Sequence, residues 1–321
     1  MTGVMFQLLE LLDKNLTINE ISDILHLSRK QLYHYLMILK NQGYLLNKKY
    51  YYDGNIKYNL EHILNENNDI GIITPPSLSK IDFLVISDIH LASSRERLDL
   101  LDEVYNYCIK NNIHSILIAG DIIDGFVGNV PRKYNTSHEQ IEYAVKNYPF
   151  DKNILNFLVL GNHDYSTIAL YGQDLKTVFE NRRSDMIVTG YGEGKLHIKN
   201  DLIVLRHPLK FIDERNESYN KTLIIKGHTH HSKIWSDYNN FIIYAPTLSD
   251  INNNDILPGM IHMSLCFLNG FIQKCQLKHL TYINNKFYTT NETTVYVTNG
   301  KPFKKTQSIL YEEEITKVLK K

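Results

Sequence analysis

The 321-residue sequence predicts a mixed α/β (α+β) fold, on three observations. Apolar runs that read as strands recur at Phe83–Ile86, Ile116–Ala119, Phe157–Leu160, Leu202–Leu205 and Leu223–Ile225, each ending in a short polar block. Between the first two lies Arg95–Asn111, where Leu98, Leu101, Val104 and Cys108 repeat at helical spacing, so the region opens as strand, helix, strand. The first 60 residues differ in texture: short amphipathic helices with sharp stops, which mark a separate small module.

In that module Phe6, Leu8, Leu9, Leu11 and Leu12 make a first helix. Thr17-Ile18-Asn19-Glu20 is a capping box that opens a second helix through Leu25, and His26-Leu27 is a turn. Ser28-Arg29-Lys30-Gln31 is a second capping box, opening a third helix to about Asn41, with Gly43 as its stop. Tyr44–Tyr52 and Asn55–Leu60 flank Asp53-Gly54, a dipeptide suited to a tight hairpin turn. Residues 61–80, with the Pro75-Pro76 pair, read as a linker.

Helix, two capped helices and a hairpin together resemble a winged helix-turn-helix domain over residues 1–60. The resemblance implies contact with duplex DNA. Leu32, Leu36 and Leu39 would face the core, leaving Arg29, Lys30, Tyr33 and His34 outward for a major groove and Lys48 and Lys49 on the hairpin for phosphates. Seven basic against five acidic side chains in this stretch leave the competing use, as a docking or dimerisation module, open.

The polar blocks are Ser87-Asp88-Ile89-His90, Gly120-Asp121-Ile122-Ile123-Asp124, Gly161-Asn162-His163-Asp164, Arg206-His207 and Gly227-His228-Thr229-His230. Singly each is an ordinary turn. As a set they supply carboxylate, amide and imidazole donors without thiolate, which suits Mn, Fe, Zn, Ni or Co rather than a structural zinc cage. Two such ions roughly 4 Å apart can clamp a phosphoryl group and generate hydroxide between them. Asp121 is the natural bridge, because a carboxylate offers lone pairs on two oxygens.

In this order (D-x-H, GD-x-x-D, GNH-D, a lone His, GH-x-H) the blocks resemble the calcineurin-like metallophosphoesterases, over residues 82 to 275. The resemblance implies a double-sheet sandwich flanked by helices, spanning 81–280. It implies two divalent metal ions, manganese first among them, one held by Asp88, His90, Asp121 and His230, the other by Asp121, Asn162, His207 and His228. It implies that a metal-bridging hydroxide attacks, that His163 is the general acid, and that Asp124 orients its ring. After Asp124, Arg132, Lys133 and Tyr134 are placed to hold a phosphate or stack a base at the rim, followed by a helix over Thr136–Asn147. Residues 281–321 match no pattern; strand-like residues run to Val297 and a helix is expected over Tyr311–Leu319.

Lys plus Arg equals Asp plus Glu at 35 each, so overall charge does not announce a nucleic-acid partner and any binding face is local. Three scattered cysteines exclude a disulfide framework, and neither a leader nor an apolar run near membrane-spanning length is visible, which points to a reducing cytoplasm and no membrane partner. The expected function is a phosphodiesterase or nuclease acting on nucleic acid or nucleotides. Two rivals stand beside it: a small-molecule phosphatase or cyclic-nucleotide phosphodiesterase with the winged helix as an assembly module, homo-oligomeric or not, and a DNA-binding regulator whose metal half senses without turnover.

Overall fold

Two capping boxes start the second and third helices. Thr17 accepts from the Glu20 backbone and Ser28 from that of Gln31, and each box is closed by the return bond from its third residue. The computed structural model describes residues 3–61, 70–128, 131–209, 222–236, 240–251, 256–297 and 304–310. The helix expected over Tyr311–Leu319 lies outside them.

Helices α1 (Gly3–Leu12), α2 (Ile18–Ile24) and α3 (Arg29–Asn41) bury Leu8, Leu12, Ile21, Leu32, Leu36 and Leu39 against one another. The hairpin follows as β1 (Leu45–Tyr51) and β2 (Ile56–Glu61), antiparallel, with Gly54 at φ 79° in its turn. The stretch read as a linker contains a strand, β3 (Ile70–Ile73), which corrects that expectation. It pairs in parallel with β1 on one side, Tyr50 opposite Ile72, and with a strand of the second domain on the other. Four residues including a glycine are too short for a periodic signal, and both partners are distant in sequence.

The second region runs β4 (Lys80–Ile86), α4 (Leu98–Asn111), β5 (Ser115–Ile118), α5 (Ser137–Asn147), β6 (Leu155–Leu160), α6 (Asn162–Tyr171), α7 (Leu175–Arg182), β7 (Met186–Tyr191) and β8 (Glu193–Ile198). It continues with β9 (Asp201–Arg206), β10 (Thr222–Lys226), β11 (Lys233–Ser236), β12 (Asn240–Tyr244), β13 (Gly259–Leu268), β14 (Phe271–Ile283), β15 (Lys286–Tyr296) and β16 (Lys304–Leu310). Among the described residues they form two eight-stranded sheets. One has the order β16-β15-β14-β13-β4-β5-β6-β7, the other β11-β12-β10-β9-β8-β3-β1-β2. The last strands of the chain thus extend the edge of the first sheet.

Strands β4 to β7 are mutually parallel, and β5 and β6 are buried along their whole length, as expected of parallel strands covered on both faces. Phe83, Phe157, Leu205, Ile225 and Ile243 fill the space between the sheets, and this core is continuous with that of the three N-terminal helices. On the outer face of the first sheet Leu101, Val104, Ile141 and Phe179 bring α4, α5 and α7 against Ile116 and Leu158. The two-sheet, helix-flanked architecture preceded by a winged helix is therefore the fold of this chain. No helix among the described residues is long and apolar enough to cross a membrane.

Candidate metal centre

Every block of the sequence motif sits just past the carboxyl end of a parallel strand: Asp88 and His90 after β4, Asp121 after β5, Asn162 after β6, His207 after β9, His228 and His230 after β10. Open α/β sheets gather functional groups at this end. The first two loops are tied by the backbone, since Asp88 N donates to Gly120 O and Ile89 N to Asp121 O. Thr247 closes the other side by donating its hydroxyl to Asp88 O at 2.9 Å.

Three groups of donors converge. Asp88, His90 and His230 form one, His90, Asp121 and His163 a second, and Asp121, His207 and His228 a third, with the ligand atoms of each within 4.8 Å of one another. Asn162 Oδ1 lies 3.1 Å from His207 Nε2, which places its amide in the third. Asp121 thus faces both ends of the cluster.

The arrangement fits divalent cations on its own chemistry. Asp88 is fully buried, and its Oδ1 has no hydrogen-bond partner although His230 Nε2 stands 3.2 Å away. Buried carboxylate lone pairs of that kind are costly unless a cation takes them. Burial pushes His90 down to about 4 and also lowers His228, which favours the neutral imidazole that ligates a metal. His207 goes the other way: burial opposes its charge, but Asp121 and then Asp88 hold it up to about 10, supplying the positive charge that a metal would bring. Its Nδ1 donates to Ala119 O at 2.6 Å, which leaves Nε2 turned to Asp121 Oδ2 at 3.0 Å.

The backbone is strained where the donors are. Asp88, His90, Asp121, His228 and His230 all have φ between 49° and 74°, a region that costs non-glycine residues of order 1 kcal/mol or more each. The glycines of the motif have a different cause. A Cβ at Gly161 would stand 2.2 Å from Asp121 Oδ1, and one at Gly227 would stand 2.1 Å from Ala119 O, so these loops close on His207 only without side chains.

His163 stands at the first turn of α6. Its backbone N donates to Asp121 Oδ1 at 3.0 Å, and its ring meets His90 edge-on at 4.5 Å. Asp124 reaches this ring through its backbone. Its backbone carbonyl accepts from His163 Nδ1 at 2.5 Å, while its carboxylate lies 4.0 Å from that nitrogen, 3.9 Å from His90 Nδ1 and 3.1 Å from Arg132 Nε. A carbonyl can only accept, so Nδ1 carries the proton and Nε2 is left for chemistry. Asp164, whose role the sequence left open, is wholly buried and accepts from Ile122 N, Ile123 N and Gly161 N at 2.9 to 3.0 Å, binding the Asp121 loop to the Asn162 loop. The signal for it was its position three residues after Gly161, where a side chain can cap the helix it starts.

Two groups of expected contacts are placed otherwise. Arg132 donates to the carbonyls of Gly125, Val127 and Gly128, Lys133 pairs with Glu96, and Tyr134 lies against Tyr143 at 5.2 Å. In the winged helix, Arg29 turns inward, donating to Asn19 and to Lys152 O at 3.0 Å and covering Phe150, while the Tyr33 hydroxyl is buried beside Tyr58. Gly54, at the hairpin tip, packs on Asn153, where an added Cβ would meet the carbonyl oxygen at 2.0 Å. Lys30 and His34 remain exposed, and Lys48 lies over the Tyr58 ring with Lys49 half-buried beside it. The outward assignment of Arg29 and Tyr33 is thus corrected: helical spacing tells which residues share a face, not that a second domain covers it.

The sequence profile described as calcineurin-like phosphoesterase matches residues 81–263, and one described as bacterial regulatory protein, arsR family, matches residues 4–45. No curated protein matches the chain. Among solved structures, a single mutant of Vps29 from Entamoeba histolytica is 14% identical, with 68% of this chain and 100% of that one covered at a TM-score of 0.39. YfcE, a phosphoesterase from E. coli, is 17% identical, with 60% and 96% covered at 0.40. A dimetal phosphatase from Danio rerio is 13% identical, with 65% and 98% covered at 0.39.

Proposed function

Since the chain belongs to the calcineurin-like phosphoesterase family, whose profile spans more than half of it, we propose that it hydrolyses phosphodiesters of nucleic acid or nucleotides with two divalent metal ions. The observation that carries the reading is Asp121, which shares one donor group with His90 and another with His207 and His228. Asp88, His90, Asp121 and His230 would hold one ion, and Asp121, Asn162, His207 and His228 the other. Divalent ions there would polarise the phosphoryl oxygens and supply a nucleophile from water at neutral pH. The oxygen and imidazole donor set admits manganese, the ion we put first, and equally Fe, Zn, Ni or Co.

The protein's own groups do the rest. His163, held at Nδ1 by the Asp124 carbonyl, gives a proton to the leaving oxygen from Nε2 when both ring nitrogens are protonated, and is left as the neutral Nδ1–H ring. The Asn162 amide fixes a phosphoryl oxygen, and Asp164 keeps both loops rigid. Arg132 and Lys133 are engaged internally, so a monoester dianion finds no second cation in that loop. A diester, with one charge, loses less.

A second reading, a small-molecule phosphatase with the winged helix as an assembly module, is favoured by the contacts of Arg29 and Gly54 with the catalytic body. The free thiols of Cys108, Cys266 and Cys275 fit a reducing cytoplasm. The test is Mn-supplemented hydrolysis of bis-p-nitrophenyl phosphate, p-nitrophenyl phosphate and DNA, with Asp121→Asn as control. Diester and DNA cleavage lost in the mutant supports the proposal. Monoester turnover alone favours the phosphatase, and silence on all three favours a sensor without turnover.

A further inference from the structure

Two pairs of aromatic rings flank the helix turn that carries Asn162 and His163. On one side Phe126 lies against Tyr171, ring centres 4.7 Å apart and planes at 52°. Phe126 is two residues past Asp124, its N–H donates to Ser166 Oγ at 2.8 Å, and the Arg132 guanidinium covers it at 5.8 Å. On the other side Tyr165 meets Tyr191 edge-on at 6.4 Å, and Lys176 lies 6.0 Å over the Tyr191 ring. Tyr191 precedes Gly192, whose carbonyl accepts from His207 N at 2.8 Å. One pair therefore includes the loop that carries Asp121 and Asp124, and the other adjoins the turn that the His207 backbone is bonded to.

The two rings carried by α6 are not buried core. Tyr171 is 53% exposed and Tyr165 39%, whereas large aromatic side chains in the interior, such as Phe157 and Phe179, are fully covered. Tyr165 stands one helical turn beyond Asn162, and Tyr171 about 12 Å along the axis from His163. Exposed rings at that distance from a phosphoryl site have flat faces to offer a flat partner. Every nucleobase has one, and stacking on tyrosine or phenylalanine is how proteins hold bases without reading their identity. In a duplex those faces are already stacked on one another, so an unpaired base is what such a ring takes.

We propose that Phe126 with Tyr171, and Tyr165 with Tyr191, are two base-stacking platforms on either side of the scissile phosphate, and that the substrate is single-stranded nucleic acid. This rests on the diesterase reading above and names its substrate. It draws nothing from the winged helix.

The test uses the full-length protein with Mn2+, a single-stranded oligonucleotide and the same strand annealed to its complement. Tyr171→Ala and Tyr165→Ala should each raise KM on the single strand about ten-fold, with kcat moved far less, while Tyr171→Phe and Tyr165→Phe restore it. No rise in KM, an equal rise on the duplex, or no rescue by phenylalanine overturns the proposal and leaves the rings as mortar between loop and helix. A second arm reads stacking without turnover: a 2-aminopurine beside the central phosphate, bound to a His163→Ala protein, should be quenched, and the quench should be lost in the alanine variants. Quenching by a chain whose wild type cleaves nothing would sink the diesterase reading alone. Cleavage without quenching would sink the platforms alone.

Discussion

Asp121 Oδ2 and His207 Nε2 face each other at 3.0 Å with both side chains buried, and Gly161 leaves the room for that approach. A methyl group at Gly161 would stand 2.2 Å from Asp121 Oδ1 and 2.5 Å from His207 Cδ2. Gly161→Ala should therefore push both donors apart and weaken metal affinity roughly 10- to 100-fold with the fold retained. Isothermal titration with Mn2+ checks this, and unchanged affinity contradicts it.

Asp164 is the acceptor for three buried backbone N–H groups. Asp164→Ala leaves all three unpaired, at a cost of about 3 kcal/mol or more, and Asp164→Asn recovers part through its remaining oxygen. Urea unfolding measures both; a loss under about 1 kcal/mol for the alanine variant would mean the loops are held by something else.

The winged helix and the sandwich share one apolar core and one sheet, joined where β3 lies between β1 and β8. Tyr50 reinforces the joint by meeting Phe157 edge-on at 5.7 Å. Unfolding should then be a single transition for both domains. Calorimetry showing two separated transitions, the smaller one sized for about 60 residues, would refute the shared core.

Burial holds the Tyr50 and Tyr107 phenols up to about 12 and raises Tyr33, Tyr58, Tyr105 and Tyr148 as well. An unfolded phenol ionises near pH 10. Between the two values the folded chain binds more protons, so stability is intact below about pH 10 and falls as pH climbs toward 12. Urea midpoints at about pH 8 and about pH 11 test the sign, and equal midpoints would count against these phenols being buried.

The candidate cluster was legible because its acidic, amide and imidazole side chains sit in short blocks next to apolar strands, and both capping boxes lie where Thr17 and Ser28 announced them. What escaped depended on contacts across long sequence separations. Lys133 meets Glu96 and Arg29 meets Lys152, and neither spacing leaves a periodic trace. Asp124 was expected to orient His163, but that its backbone carbonyl makes the bond was not legible, since sequence names a residue and not an atom. The exposure of Tyr165 and Tyr171 was invisible for the same reason that β3 was: only the packed fold decides which short segments are covered.

The most direct measurement is metal content alongside diester turnover for wild type and His163→Ala. The wild type should bind two equivalents of Mn2+ and hydrolyse bis-p-nitrophenyl phosphate, while His163→Ala should keep both ions and lose roughly 10²- to 10⁴-fold in kcat. Loss of metal together with the ring, or full turnover without it, would contradict the assignment of His163 as the proton donor beside a two-metal centre.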